Sequence, residues 1–132
     1  MSYDLGLKCP ITNEWLVLDA PHMMCGGTYC LSGESRARVN ITYNYAKIYE
    51  VVLTPREFKH DYARDDGRLH GIRSIYGLTG AESIPILKEA IAKLKDDVTD
   101  RHWDATEGNA KASLLQCLAL AQMRPDGVWD GD

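Results

Sequence analysis

Tyr3, Leu5 and Leu7 alternate with Asp4, Gly6 and Lys8, a period of two that predicts a strand with one buried face. After the turn-like stretch Cys9-Pro10-Ile11-Thr12-Asn13-Glu14 comes the apolar run Trp15-Leu16-Val17-Leu18. Two such runs around a polar turn with Pro predict a β-hairpin. Asp19-Ala20-Pro21 is expected to end it, since Pro donates no ladder hydrogen bond and restricts the residue before it. Gly26-Gly27-Thr28-Tyr29-Cys30-Leu31 reads as a short strand entered through a glycine pair. The clearest strand signal follows, with Val39, Ile41, Tyr43 and Tyr45 on one face and Asn40, Thr42 and Asn44 on the other, two faces expected to differ sharply in polarity.

Residues 47–53 fit either element: Ile48, Val51 and Val52 have helical spacing, while the β-branched residues and tyrosines favour a strand. Helix is preferred. Residues 55–71 are the most charged part of the chain and carry turn signals, so an exposed loop with one helical turn is expected there. Ile72-Arg73-Ser74-Ile75-Tyr76 reads as one more short strand ending at Gly77. Beyond it the period changes. Ile84, Leu87, Ile91 and Leu94 recur at helix spacing, Pro85 suits a first turn, and Glu82 or Ser83 stands where a cap or dipole partner would. A second helix is expected from about Thr106, with Ala110, Leu114, Cys117, Leu118 and Ala121 on one stripe and Leu115, Ala119 and Leu120 widening it, stopping at Arg124-Pro125-Asp126-Gly127.

Strands first and helices afterwards predict an α+β fold: an N-terminal antiparallel sheet, a hairpin plus further strands, packed against two C-terminal amphipathic helices. The length, 132 residues, matches one domain over residues 1–132. So wide an apolar face on the last helix implies burial on more than one side, against the sheet and other helix together or in a subunit contact. A homo-oligomer through Leu114 to Ala121 is the expectation adopted.

Charge narrows the partners. With 15 Lys+Arg against 19 Asp+Glu the net charge is −4, and no basic run offers the footprint that a long nucleic acid requires. No stretch approaches the ~18 apolar residues of a membrane span, and Met1-Ser2-Tyr3-Asp4 lacks a secretory n-region, so a cytoplasmic protein without a membrane partner is expected. Cys9, Cys25, Cys30 and Cys117 are expected to be free, mostly buried thiols, because a disulfide framework belongs to secreted and usually smaller chains.

Candidate chemistry is sparse. Tyr76-Gly77-Leu78-Thr79-Gly80-Ala81-Glu82-Ser83 lies between an expected strand and a helix start, where free backbone N–H groups and close-approach glycines can hold an anion. It lacks the Lys-Ser/Thr of a P-loop, and Glu82 competes for the same positive end. A plain strand-to-helix turn is therefore the commoner reading. Arg73 would be the charge partner of a bound anion. Tyrosines such as Tyr43 and Tyr45 can stack on a base, although they more often pack half-buried in sheets.

His22-x-x-Cys25 followed by Cys30, with Cys9 or Cys117 as a fourth ligand, is one loose cluster where structural zinc sites favour two tight pairs, and no metal is assigned. Asp65, Asp66 and His70, like His102 and Asp104 around Trp103, lack helical metal-site spacing. No catalytic signature is found and no catalytic residue is assigned. His22 and Cys25 would form a thiolate pair only if the fold aimed them at each other.

Pro21-His22, Gly26-Gly27-Thr28-Tyr29, Asn40-Ile41-Thr42-Tyr43-Asn44-Tyr45, Ile75-Tyr76-Gly77 with Thr79-Gly80-Ala81-Glu82-Ser83-Ile84-Pro85, Ala105-Thr106-Glu107-Gly108-Asn109-Ala110-Lys111 and Met123-Arg124-Pro125-Asp126-Gly127 together resemble a set of small uncharacterised phage and prophage proteins. The resemblance spans most of the chain except residues 55–70 and carries no activity. What it implies is a short accessory protein in a bacterial host cell that acts stoichiometrically, sequestering a host signal or blocking a host protein.

The function expected is therefore non-enzymatic and cofactor-free: binding and sequestering a small anionic, nucleotide-type host defence signal. Tyr43, Tyr45, Arg73, Gly77, Thr79, Gly80 and Ser83 are the expected ligand contacts. The alternatives are a protein-binding inhibitor of a host defence protein and a small hydrolase or transferase using His22, Cys25 or the acidic loop.

Overall fold

The computed structural model describes residues 1–26 and 29–132. Among these residues seven strands and three helices follow one another as β1 (Ser2–Lys8), β2 (Val17–His22), β3 (Glu34–Arg36), β4 (Arg38–Thr42), α1 (Ala46–Val52), β5 (Arg56–Glu57), β6 (Arg68–Leu69), α2 (Gly80–Ala92), α3 (Glu107–Met123) and β7 (Val128–Gly131). Short 3-10 turns occupy Tyr43–Tyr45 and Gly71–Ile75. The chain is α+β, as its patterning predicts. No helix among the described residues is long and apolar enough to cross a membrane.

Strand β1 is the centre of the main sheet, with β4 on one edge and β7 on the other, both antiparallel. The alternation in its sequence divides the sheet. Tyr3 opposes Ile41, Leu5 opposes Val39 and Leu7 opposes Trp129, all buried. Against this apolar face α3 packs directly, with α2 beside it. The opposite face is polar but not open. Asp4 Oδ1 accepts from Tyr29 Oη, Asn40 Nδ2 and Arg38 Nη2 at 2.9, 2.8 and 3.4 Å, and Asn40 and Thr42 are only 1% and 4% exposed. The two faces of β4 thus differ sharply in polarity, and Asn40 and Thr42 on the polar one are covered and not open to water.

Several expected elements are corrected. The hairpin turn after β1 forms, with Cys9 N–H donating to Glu14 O and Asn13 N–H to Cys9 O, and Asn13 takes a positive φ of 60°, which Asn tolerates. The second run continues through Asp19-Ala20-Pro21 as β2 and pairs with β3 instead of extending the main sheet. Pro21 fits because β2 has a partner on one side only, leaving an edge where no N–H is missed. Of the strand expected at residues 26–31, Gly27 and Thr28 lie outside the described residues, and isolated bridges join Cys25 to Cys30 and Gly26 to Ile41. Strand β4 stops at Thr42, whose hydroxyl accepts from Asn44 N–H at 3.2 Å and turns the chain. In place of the strand expected at residues 72–76 stands the 3-10 turn Gly71–Ile75, capped by Tyr76 and opened by Gly71 at φ 62°. The charged loop is closed at its base by the two-residue β5–β6 ladder.

The helices match their periodicities. Residues 46–52 are helical, and Tyr49, fully buried, donates its hydroxyl to Ala110 O at 2.8 Å. The N-cap of α2 is Thr79, in a reciprocal capping box with Glu82, so Pro85 falls in the second turn, not the first. Thr106 caps α3. The wide stripe of α3 is buried by its own chain: Leu114, Cys117, Leu120 and Ala121 are all at 0% exposure against β1, β4 and α2. Of the residues that widen it, Leu115 is the one well exposed, at 46%.

Strand β7 has no counterpart among the expected elements. Its Trp129 is 1% exposed, and the indole Nε1–H donates to Ser83 Oγ at 2.8 Å while that hydroxyl donates to Gly80 O at 2.8 Å. This chain of two buried bonds ties the last strand to the first turn of α2. Replacing Ser83 by Ala should cost about 1–3 kcal/mol by stranding the indole N–H. In a urea-denaturation double-mutant cycle with Trp129→Phe the two changes should couple by about 0.5–3 kcal/mol; strictly additive losses would show that this bond does not hold β7.

Candidate functional site

The Gly71–Ile75 turn buries Gly71, Ile72, Ser74 and Ile75 and leaves Arg73 half-buried. Three tyrosine rings surround its guanidinium, whose central carbon lies 4.3 Å from the Tyr62 centroid, 4.9 Å from Tyr3 and 5.8 Å from Tyr43. Each is within the range of a cation–π attraction. Hydrogen bonds fix the group further: Nε donates to the Asp132 main-chain oxygen at 2.8 Å and Nη2 to Tyr43 Oη at 3.3 Å.

The supports come from distant parts of the chain. Tyr3 and Tyr43 meet edge to face with centroids 4.4 Å apart. Burial pushes the Tyr3 phenol above its ordinary range, against the opposing pull of Arg73. Tyr76 Oη donates to the same Asp132 oxygen at 3.1 Å, and burial raises its phenol strongly. β7 thus delivers the acceptor that aims the arginine. Arg64 and Glu50 form an ion pair close enough for both charges to act on Tyr3.

Of the residues named from sequence, Arg73 and Tyr43 are brought together. Tyr45 is not with them: it is fully buried and packs against Tyr49, centroids 5.9 Å apart. Gly77, Thr79, Gly80 and Ser83 serve the junction with β7. Gly77 N–H donates to Trp129 O, Gly80 N–H to Gly127 O and Ala81 N–H to Pro125 O, while Glu82 N–H is capped by Thr79 Oγ1. The amides that would cradle an anion are already spent on backbone and cap. A Cβ on Gly80 would meet Arg124 O at 2.6 Å, so that glycine is required by chain packing. Tyr3, Tyr62 and Asp132 are the site members that sequence reasoning missed, and no local pattern marks them.

A second constellation joins β1, β7 and the charged loop. His60 Nε2 lies 2.8 Å from Asp130 Oδ1, and Lys8 Nζ 3.0 Å from Asp130 Oδ2. Partial burial raises the Asp130 carboxyl, but bonds from His60 and Lys8 outweigh it and hold it below the usual range. Tyr62 N–H donates to His60 Nδ1 at 3.2 Å, which places the neutral ring's proton on Nε2, toward Asp130. Both ring nitrogens of His60 are thus engaged within the chain. These groups line an open cleft of about 340 Å³ that also borders Cys9, Phe58 and Trp129.

Cysteine chemistry departs from expectation. Cys25 and Cys30 are joined in a disulfide, with Cα atoms 4.2 Å apart; the antiparallel bridge between them sets that spacing. Cys25 therefore offers no thiolate to His22, whose Nδ1 accepts from Met24 N–H at 3.3 Å and whose Nε2 lies 3.0 Å from Arg36 O. Cys9 and Cys117 are free. Backbone N–H and hydroxyl of Thr12, with the N–H of Ile11, stabilise the Cys9 thiolate and lower its pKa, whereas burial pushes the Cys117 thiol up to about 12. His70 pairs with Asp66 at 2.9 Å, and Asp104 Oδ2 accepts from Thr99 Oγ1 and Arg101 Nε at 2.9 and 3.3 Å. No family model, curated protein or solved structure matches the chain.

Iodoacetamide at neutral pH without reductant should add one carbamidomethyl group per folded chain, on Cys9, because thiolate and not thiol is the nucleophile. Cys117 should react only after denaturation. Peptide mass spectrometry showing Cys117 modified first, or a free Cys25 in the unreduced protein, would contradict this assignment.

Proposed function

We propose that the chain binds a small anionic ligand of nucleotide type and holds it without altering it, on the face where Arg73 sits among Tyr3, Tyr43 and Tyr62. The observation that carries this reading is the fixed guanidinium ringed by three tyrosines. An arginine oriented before the ligand arrives loses less rotamer freedom on binding, and its planar fork matches phosphate geometry. Among the described residues Arg73 Nη1 makes no hydrogen bond. Tyr62, 44% exposed, and half-buried Tyr43 offer ring faces to a base. Positive charge, a hydroxyl and ring faces are the chemistry of holding phosphate and base, not of breaking a bond. The biological setting, sequestration of a host defence signal, follows from the resemblance to small phage proteins and the stoichiometric action it implies.

A second reading, an inhibitor that docks on a host defence protein, is supported by a separate feature. An open groove of about 360 Å³ beside α1 is lined by Ile48, Val51, Val52 and Leu94, with Lys47 and Lys93 among its flanking residues. Val51 is 84% exposed there.

Isothermal titration with a panel of mono-, di- and cyclic nucleotides decides between them. One member should bind, be recovered with unchanged mass, and lose about tenfold or more in affinity with Arg73→Ala, while Tyr45→Phe stays near wild type. No binding by any member, or affinity indifferent to Arg73→Ala, would remove this face as the site. If Val51→Asp instead abolished capture of one host protein while nucleotides were ignored, the inhibitor reading would replace it. A nucleotide recovered cleaved or transferred would return the enzyme reading.

A further inference from the structure

The turn that sets Arg73 among the tyrosines also lends a residue to a separate recess. Ser74, its neighbour, lines a cleft of about 180 Å³ whose walls come from the end of α1, from β5 and from α2. Val52, Pro55 and Ile86 are its apolar lining, and Arg56, Ser74 and Lys93 bring donors. Ser74 is 4% exposed, yet its hydroxyl makes no hydrogen bond among the described residues. Buried hydroxyls are normally partnered, and the cleft is the space left for a partner.

Arg56, half-buried on β5, is an independent sign of the same vacancy. Its Nη1 donates to the main-chain oxygens of Ser74 and Tyr76 at 2.7 and 2.8 Å, and Nη2 donates to Tyr76 O at 2.8 Å. Three of its five N–H groups are thereby used. The two that remain, on Nε and Nη2, share one edge of the planar fork. Phe58 lies against the guanidinium, its ring centroid 5.1 Å from the central carbon. Among the described residues no carboxylate forms an ion pair with this group. Burial pushes its pKa below the ordinary range, against the opposing pull of Glu82, whose carboxylate is committed to the capping box of α2. A desolvated charge is as a rule paired with an opposite one, and Arg56 meets only carbonyl oxygens. Lys93, following α2, pairs with Glu89 at 3.4 Å, both side chains well exposed, and so loose a pair yields to a stronger anion.

The geometry points to an oxyanion site in this cleft that takes a phosphate group: the unused edge of Arg56 matches two of its oxygens, the Ser74 hydroxyl donates to a third, and Lys93 adds a second positive charge. A planar carboxylate, with two oxygens, would occupy the arginine edge and leave the serine unpartnered. The volume equals about six waters, room for a phosphate group while the rest of a larger ester stays in solvent. This proposal stands apart from the Arg73 face, and either can fail alone.

The test is a ¹H–¹⁵N NMR titration of the full chain with inorganic phosphate, methyl phosphate and acetate in turn, at an ionic strength held constant with chloride. Phosphate should shift the Arg56 Nε–H and the Ser74 amide saturably, in a response read separately from that of the Arg73 Nε–H. Acetate should give no saturable shift at these two groups. Ser74→Ala removes a hydroxyl that bonds nothing in the fold, so its thermal midpoint should stay near wild type while phosphate binds about tenfold more weakly. Lys93→Gln, at an exposed position, should weaken phosphate binding by a smaller factor and leave the fold intact. Methyl phosphate binding as tightly as inorganic phosphate would assign the ligand as the phosphate end of a larger ester, and much weaker binding would assign the free ion. No saturation at Arg56, an equal response to acetate, or unchanged affinity in Ser74→Ala would each overturn the site.

Discussion

Everything in this fold hangs on β1 having a partner on each edge. A strand with a buried apolar face also needs its backbone groups paired, because an unsatisfied buried N–H or C=O costs about 1–3 kcal/mol. The two partners come from far along the chain, β4 at residues 38–42 and β7 at residues 128–131. Pairing with β7 carries the chain's last described residues across the molecule, and the Trp129–Ser83 bond secures them to α2. The same crossing puts the Asp132 main-chain oxygen beside Arg73. Fold closure and the aim of the arginine are therefore one event.

The cost of that arrangement falls on the N-terminus of α2. A helix start after a glycine turn is a general anion cradle, but its amides are here consumed by residues 125–129 and by the capping box. The charge partner expected for that cradle, Arg73, instead sits among tyrosine rings. Positive charge on the surface of this acidic chain is thereby fixed in place and backed by aromatic faces, away from the helix end.

What could be read from the sequence was whatever repeats along it. β1, α2 and α3 announce themselves through periods of 2 and 3.6 over seven or more residues, and α1 leaned the right way on the spacing of Ile48, Val51 and Val52. Residues 43–45 misled because alternation continues past the point where the Thr42 hydroxyl turns the chain. Strand β7 stayed hidden because four residues after Pro125-Asp126-Gly127 look like the tail of a helix stop, and its pairing is with residues more than a hundred positions away. Arg73 and Tyr43 were legible as chemistry, but Tyr3, Tyr62 and Asp132 join them only in space. The Cys25–Cys30 bridge escaped for a different reason: cysteine usage predicts compartment and size class, and says nothing of two residues held face to face by a local antiparallel bridge.

The central claim is that Arg73 is held rigid, ready for an anion, by β7 and the tyrosines. NMR of the Arg73 side-chain Nε–H reads this directly. The account predicts a resolved signal displaced by the ring currents of Tyr62 and Tyr3, protected from solvent exchange by its bond to Asp132, and shifted on addition of a nucleotide the protein binds. A signal that exchanges as fast as free arginine and stays in place through the whole nucleotide panel would contradict it.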